Sequence, residues 1–200
     1  MAWALRNWTA WNWLSGGQFV EQIVHTIDGM VWSMNEQLPL AAFGSGGRAQ
    51  RRDDGDVWDH YDVYFEYDHN VAAHISCRQW VGCHGEIVDR TVCEKGMLVT
   101  PYRPHIQADK RWRFRGERGN MYADTHVAFY RFLRSGTWKQ TLESAANKTL
   151  VAIMGREAAH TGQRITWEQI KKSATRLVPE DLTMDTPLPP ARIPRPGRAA

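Results

Sequence analysis

Three ionisable side chains recur at helical spacing near the start of the chain. Glu21, His25 and Asp28 lie four and three residues apart in the segment GGQFVEQIVHTIDGMVW, so a helix would place them on one face. A histidine flanked by carboxylates one turn away can be held in one tautomer and can relay a proton. The spacing therefore predicts either a proton-relay site, or a helix favoured by an acid in its first turns that carries a buried, hydrogen-bonded histidine.

The residues around this triplet predict the element that carries it. Gly16 and Gly17 read as a turn, and the apolar residues that follow Phe19 recur with the helical period. The first 15 residues contain four tryptophans and no strand or cap signal. We expect residues 1–15 to form an aromatic loop that leads into one helix.

The middle and the end of the chain predict an α+β fold. Runs rich in β-forming residues, separated by turn residues, predict strands at 38–43, 61–67, 71–80, 86–94, 97–102 and 111–116. Helical periods predict helices at 120–133, 142–159 and 166–177. This order indicates an open, mostly antiparallel sheet with helices on one face. We expect a single domain over 1–178 and a proline-rich, extended tail over 179–200.

Composition and charge exclude several classes of protein. The net charge is +3, and the last ten residues alone hold three arginines and no acid. The rest of the chain is balanced, which argues against a nucleic-acid binder. No apolar run approaches the length of a membrane span. Three cysteines without a CxxC pair favour a reducing compartment, and therefore a cytoplasmic protein.

Two further motifs match known sites only weakly. Residues 44–49, GSGGRA, fit the G-x-G-x-x-A nucleotide fingerprint, but no helical period follows them and the next strand is too near for a crossover helix. A flexible loop with Arg48 free to hold an anion is the better interpretation. Cys77, Cys83, His84 and Cys93 do not have the spacing of a zinc site, so we expect no metal.

Several blocks in order resemble the C-terminal part of the Gfo/Idh/MocA family of NAD(P)-dependent oxidoreductases, related to glucose–fructose oxidoreductase and inositol dehydrogenase. The resemblance is closest to a bacterial branch abundant in planctomycete-like genomes, and it runs from about Arg6 to the proline-rich tail. The blocks are RNW, WLSGGQFVEQIVHTIDGMVW, FGSGGR, DVWDHYDVYFEY, SCRQWVGC and LVAIMGREAAHTGQRITWEQ.

The resemblance implies roles for the triplet. His25 would face the substrate carbon that exchanges a hydride and would take part in proton transfer. Glu21 would orient the substrate or the histidine, and Asp28 would support them. Further substrate-pocket candidates, chosen as side chains that stack on sugar rings or hold hydroxyls and carboxylates, are Trp8, Trp13, Arg48, His60, Arg78 and Gln79.

The chain also departs from the family pattern. Its relatives bind NAD(P) in an N-terminal Rossmann domain and carry a Glu-Lys-Pro motif, whereas the only Glu-Lys here, Glu94-Lys95, is followed by Gly96. We therefore expect a substrate domain that holds no cofactor alone and lacks its nucleotide domain. The resemblance also implies homo-oligomers through the sheet face. Relatives often carry a twin-arginine signal, so a preceding segment could direct the protein to the periplasm.

Three functions follow from this resemblance. The first is the substrate-binding domain of an oxidoreductase that transfers a hydride between NAD(P) and a sugar or cyclitol hydroxyl, inactive alone. The second is a non-catalytic sugar-binding or oligomerisation module. The third is half of an NAD-dependent glycosidase, which the family includes.

Overall fold

The computed structural model of the chain describes residues 1–100, 102–117, 119–137, 141–180, 182–187 and 191–197. Contacts divide the chain into two compact units. Unit 1 comprises residues 1–83 and 146–200, and unit 2 comprises residues 84–145. The strands of the second half pair into a sheet of their own, which lies in unit 2. The single substrate domain expected over 1–178 stays a prediction.

Short helices replace the aromatic loop expected at the start. The elements up to residue 33 are α1 Ala2–Arg6, a 3-10 helix Trp8–Ala10, α2 Asn12–Ser15, α3 Gln18–Glu21 and α4 Val24–Ser33. Packing forms them despite their weak cap signals. Ala4, Ala10 and Trp11 are buried together, and the ring of Trp3 meets that of Trp11 edge-on at 6.1 Å.

The single helix expected to carry the triplet is broken. α3 ends at Glu21 and α4 begins at Val24. Between them the Ile23 N–H donates to the carbonyl of Gln18, five residues back, and the His25 N–H donates to the carbonyl of Gln22, three residues back. Glu21 therefore belongs to a different helix from His25 and Asp28.

In the part of the chain that the structure describes, eight strands form two antiparallel sheets. They are β1 Ala41–Gly47, β2 His60–Glu66, β3 Ala72–Arg78, β4 Asp89–Cys93, β5 Gly96–Thr100, β6 His105–Gln107, β7 Trp112–Arg113 and β8 Ile165–Thr166. The sheet of unit 1 has the order β3-β2-β1-β8, and the sheet of unit 2 has the order β4-β5-β6-β7. Every pair in both sheets is antiparallel, and the α+β fold predicted from the sequence is confirmed.

The glycine-rich segment predicted as a loop forms most of β1. A Cβ atom added at Gly44 would lie 2.6 Å from the carbonyl oxygen of Asp62 on β2, and one at Gly46 would collide with the carbonyl of His60. The glycines thus permit a close approach of two strands, and they do not open a helix as a nucleotide fingerprint would.

The core of unit 1 lies between one face of its sheet and the helices. β2 alternates as expected of a half-buried strand: Tyr61, Val63 and Phe65 point inward. Phe19 of α3 packs against the rings of Tyr61 and Phe65 at centroid distances of 5.3 and 6.4 Å. The long helix α6, Leu142–Thr161, closes the core with residues such as Met154.

Part of the proline-rich tail contacts the body of unit 1. The Trp58 indole N–H donates to the carbonyl of Pro194 at 3.2 Å, and the Gly197 N–H donates to the carbonyl of Thr161 at 3.1 Å. A buried indole N–H needs an acceptor, and the tail supplies it. Other residues of the predicted tail, Asp181, 188–190 and 198–200, lie outside the described residues.

The helix predicted at 166–177 is the shorter α7, Trp167–Lys171.

Unit 2 consists of its four-stranded sheet and the helix α5, Met121–Ser135. Asn120 caps this helix by accepting hydrogen bonds from the backbone N–H groups of Tyr122 and Ala123. None of the residues that the structure describes in unit 2 is fully buried. In neither unit does the described chain contain a helix long and apolar enough to cross a membrane.

Candidate functional site

α4 places His25 and Asp28 one turn apart on an exposed surface of unit 1. Asp28 does not pair with His25 in the described chain. Its carboxylate lies 2.6 Å from the ammonium of Lys148 on α6, which also contacts Glu36 at 3.1 Å. The Lys148 side chain is only 12% exposed, and its hydrogen bond to Asp28 raises the pKa of the ammonium. Asp28 therefore ties α4 to α6.

Glu21 is hydrogen-bonded to a residue outside this ion pair. Its side chain is half-buried at the end of α3 and accepts a hydrogen bond of 2.7 Å from the amide of Gln22. Within the described residues no hydrogen bond joins Glu21 to His25. The exposed imidazole of His25 can therefore contact a ligand without first breaking an internal hydrogen bond.

A second cluster surrounds Asp59, a residue that the sequence analysis did not select. The carboxylate is 1% exposed and accepts hydrogen bonds from the backbone N–H groups of Ala49, Gln50 and Arg51 at 2.7 to 3.0 Å. The indole of Trp80 donates a further bond at 3.1 Å.

The Asp59 carboxylate stays ionised because of these donors. Burial alone would raise the pKa of Asp59, but the hydrogen bonds from His60, the backbone of residues 49 and 51, and Trp80 together hold it well below its usual range. A buried, ionised carboxylate is thus fixed at the start of β2.

Asp59 also orients His60, one of the predicted pocket residues. His60 Nδ1 lies 2.8 Å from the Asp59 carboxylate, and because a carboxylate can only accept, Nδ1 carries the proton. In the neutral ring Nε2 is then an acceptor. The ring packs edge-on against Trp80 at 5.2 Å, and the guanidinium of Arg78 lies 5.3 Å above the same indole.

The register of the sheet brings this cluster together. His60 on β2 pairs with Arg78 on β3, and the N–H of Gln79 donates to the carbonyl of Asp59 at 2.8 Å. His60, Arg78 and Gln79 were selected singly from the sequence, and the structure gathers them around Asp59 and Trp80. The sequence signal that could have found Asp59 is its position beside a histidine at the start of an alternating strand.

Arg48 is not free to hold an anion, contrary to expectation. Its guanidinium donates to the carbonyls of Gly55 and Asp53, and it pairs with the Asp53 carboxylate at 3.0 Å. These contacts fold the β1–β2 connection, residues 48–59, onto itself. The connection is also tied to the start of the chain, since the Asp56 carboxylate accepts the N–H of Asn12 at 2.7 Å.

The two predicted tryptophans lie elsewhere in unit 1. Trp8 is exposed on the 3-10 helix, whereas Trp13 is half-buried on α2 against the cluster of Ala4, Ala10 and Trp11. Neither side chain has a hydrogen bond to His25 or to the Asp59 cluster in the described chain. The structure therefore does not gather them with the other candidates.

Another polar group inside unit 1 was missed by sequence reasoning. Arg156 on α6 is buried and donates to the carbonyl of Gly16 at 3.1 Å and to Glu157 at 2.7 Å. His160, one turn on, shares a hydrogen bond of 3.0 Å with the Tyr61 hydroxyl. Burial lowers the pKa of His160 to about 3, so the ring is neutral at pH 7 and plays a structural role.

The three cysteines differ in burial. Burial raises the pKa of the Cys77 thiol to about 12, while Cys83 and Cys93 are exposed. Among the described residues there is no group of three or more potential metal ligands.

Comparisons with known proteins support the fold alone. No family model matches the chain, and no curated protein matches it. Among solved structures, aldose-aldose oxidoreductase from Caulobacter crescentus, complexed with glycerol, has a TM-score of 0.64 at 13% identity and covers 80% of this chain and 50% of its own. A candidate oxidoreductase from Thermotoga maritima has a TM-score of 0.62 at 21% identity, with coverages of 76% and 48%.

A third solved structure is UDP-N-acetylglucosamine 3-dehydrogenase from Acidithiobacillus ferrooxidans. Its TM-score is 0.60 at 12% identity, and the match covers 71% of this chain and 47% of its own. This chain thus spans about half the length of these structures. At such identities the likeness establishes a fold shared with part of several oxidoreductases.

Proposed function

We propose that the chain is the substrate-binding half of an oxidoreductase that transfers a hydride between NAD(P) and a sugar or cyclitol hydroxyl. The observation that carries this proposal is the fold shared with about half of an aldose-aldose oxidoreductase and of a UDP-N-acetylglucosamine 3-dehydrogenase. Both of those proteins act on sugars by name. The resemblance of the sequence to the Gfo/Idh/MocA family independently suggests the same reaction.

When bound, NAD(P) would supply the acceptor for the carbon-bound hydride, and a residue of this chain would take the hydroxyl proton. We assign the base to His25, because its imidazole is exposed and has no internal partner among the described residues. Glu21, near it in the chain, would orient the substrate. Asp28 and Lys148 would fix α4, and with it the position of the imidazole.

The cluster around Asp59 offers a second set of sugar contacts. Trp80 presents an aromatic ring, and His60 and Arg78 flank it with hydrogen-bonding groups. Sugar rings stack on aromatic faces and hydrogen-bond to such flanking groups. NAD(P) would be held by the other half of the enzyme, because the glycines of β1 approach β2 and open no helix to receive a pyrophosphate.

A purely structural role is the second candidate. The outer face of the sheet in unit 1 exposes Phe43 and Tyr64, whose rings pack against each other at 4.9 Å. Exposed aromatic pairs of this kind favour self-association. A sugar-binding or oligomerisation module would use this face and would need no proton transfer.

The test is turnover after fusion of this chain to the nucleotide-binding half of the Caulobacter enzyme. NAD(P)H formation is measured across a panel of aldoses and cyclitols. His25→Ala should lower kcat by about 100-fold or more, because general acid–base catalysis contributes about that much, and should leave sugar affinity nearly unchanged.

His126→Ala is the matched control, because His126 is also an exposed helical histidine but lies in unit 2. If the fusion binds sugars yet turns none over, or if both histidine variants lose the same activity, the enzyme proposal fails. The binding-module alternative would then be favoured by self-association that Tyr64→Glu disrupts.

A further inference from the structure

A cavity of about 450 Å³ lies in unit 1 between the β1–β2 connection and the tail. We call it the arginine cavity. Arg48, Arg51 and Arg52 line it from the connection, and Arg195 lines it from the tail. Trp58 and Pro194 form part of an apolar wall, and the lining includes no acidic residue.

The charged side chains of this lining all have the same sign. Guanidinium groups cannot lose their charge at accessible pH, so they cannot relieve mutual repulsion as lysines can. Like charges gathered around one cavity destabilise the fold unless an opposite charge is bound nearby. Guanidinium groups that face one space are the arrangement that proteins use to bind carboxylates and phosphates.

Internal carboxylates leave part of this charge uncompensated. Asp53 pairs with Arg48 and Arg51, and the Asp59 oxygens are turned to backbone N–H groups. Arg52 donates to the carbonyls of Ala49 and Arg51. Arg52 and Arg195 therefore have no carboxylate partner among the described residues.

The cavity is also held in place before any ligand arrives. Arg48 and the Asp59 carboxylate fold the connection from inside, and the bond from Trp58 to Pro194 fixes the tail beside it. This bond is what brings Arg195 to the connection, from about 140 residues further along the chain. A site whose charges are fixed in advance loses little entropy when a ligand binds.

We infer that the arginine cavity binds the phosphate group of a phosphorylated small molecule. Arginine forks match phosphate oxygens in pairs, and a phosphate supplies more charge and more acceptors than a carboxylate. The volume lies within the range of small-molecule pockets and exceeds what a lone ion needs. The apolar wall then has room for the carbon skeleton that carries the phosphate.

The test is a titration at constant ionic strength with chloride as the balancing anion. The probes are inorganic phosphate, glucose 6-phosphate and glucose, measured by calorimetry and by amide chemical shifts. We expect saturable binding of glucose 6-phosphate, with the largest shifts at Gly46, Gly47 and the Trp58 indole. Arg52→Gln/Arg195→Gln should weaken binding about tenfold or more, since each charge-assisted bond contributes at least that factor.

Arg113→Gln/Arg134→Gln removes the same charge from unit 2 and is the matched control. Arg195→Gln alone guards against misfolding, because Arg195 is exposed and the substitution leaves the backbone bonds of Pro194 and Gly197 in place. The inference is overturned if no probe saturates, if the control weakens binding equally, or if inorganic phosphate binds as tightly as glucose 6-phosphate. The assay needs neither NAD(P) nor a fused domain, so its failure is distinct from failure of the proposed function.

Discussion

The two units of this chain contain similar secondary structure but differ in how many of their side chains are buried. Each has a four-stranded antiparallel sheet and at least one long helical segment. In unit 1 the inward side chains of β2 are sealed by helices, and even polar groups such as Asp59 and Arg156 are buried with partners. In unit 2 the described residues include no buried side chain, and α5 exposes both apolar and polar residues.

This difference indicates where fixed geometry can be found. Burial of apolar surface provides most of the stability of a fold, and chemistry needs side chains that stay in place. Both clusters of candidate residues, and the arginine cavity, lie in unit 1. Unit 2 has the low burial of segments that open easily, or of surfaces that a partner covers.

The strongest test of this contrast replaces one aromatic residue in each unit. Phe19→Ala should lower the free energy of unfolding by about 3–5 kcal/mol, because the ring is fully buried between Tyr61 and Phe65. Tyr122→Ala in α5 should change it by less than about 0.5 kcal/mol, since Tyr122 is 72% exposed. Denaturant unfolding followed by circular dichroism measures both, and equal losses would erase the contrast.

Asp59→Asn should have the next largest effect, about 2–4 kcal/mol at pH 7, because the amide presents a donor where buried N–H groups need an acceptor. The pKa of Asp59 is lowered in the fold, so its contribution is complete above the unfolded pKa near 4 and is lost as the pH falls below it. The variant should therefore show a flatter acid dependence than the wild type. Asp109→Asn, an exposed change in unit 2, should leave the curve in place.

His160 should give a smaller effect in a different pH window. Its pKa falls from 6.5 to about 3 on folding, so the folded state binds fewer protons between these values and stability declines as the pH drops through that range. His160→Gln should remove up to about 3 kcal/mol of this decline between pH 6.5 and pH 4, because each unit of pKa shift is worth about 1.4 kcal/mol. Thermal unfolding at a series of pH values measures it. A parallel curve for wild type and variant would show that the ring titrates normally.

Helix caps should give the smallest effects and the finest comparison. Thr166 caps α7 in unit 1 through a capping box with Gln169, and Asn120 caps α5 in unit 2. Replacing either residue with alanine should cost about 1 kcal/mol. Hydrogen exchange should show the Thr166→Ala loss throughout unit 1 and the Asn120→Ala loss in α5 only. A uniform loss from Asn120→Ala would mean that the two units unfold together.

Local signals in the sequence predicted much of the fold. The strands predicted at 61–67 and 71–80 appear as β2 and β3, and the helix predicted at 120–133 appears as α5. The ends of α6 differ from the prediction by only two residues. These features depend on residues close in sequence, where period and turn chemistry act directly.

The features that the sequence did not predict depend on contacts between residues far apart in the chain. The hydrophobic period continues across the break between α3 and α4, so the sequence pattern does not reveal the break. The partners of Arg48 and Asp59 are set by how one connection folds, and Arg156 meets Gly16 across 140 residues. A charged residue in a loop looks the same in the sequence whether its side chain is free or hydrogen-bonded. The sequence analysis therefore took Arg48 to be free and did not select Asp59.

Asp59 has a consequence for how the glycine-rich motif should be understood. Three successive backbone N–H groups, at Ala49, Gln50 and Arg51, converge on its carboxylate, which is the concave nest that phosphate-binding loops offer to a ligand. Here the protein fills the nest with an anion of its own. The loop therefore presents its N–H groups as a phosphate-binding loop does, but Asp59 occupies the position of the anion. A bound phosphate would have to be held by side chains.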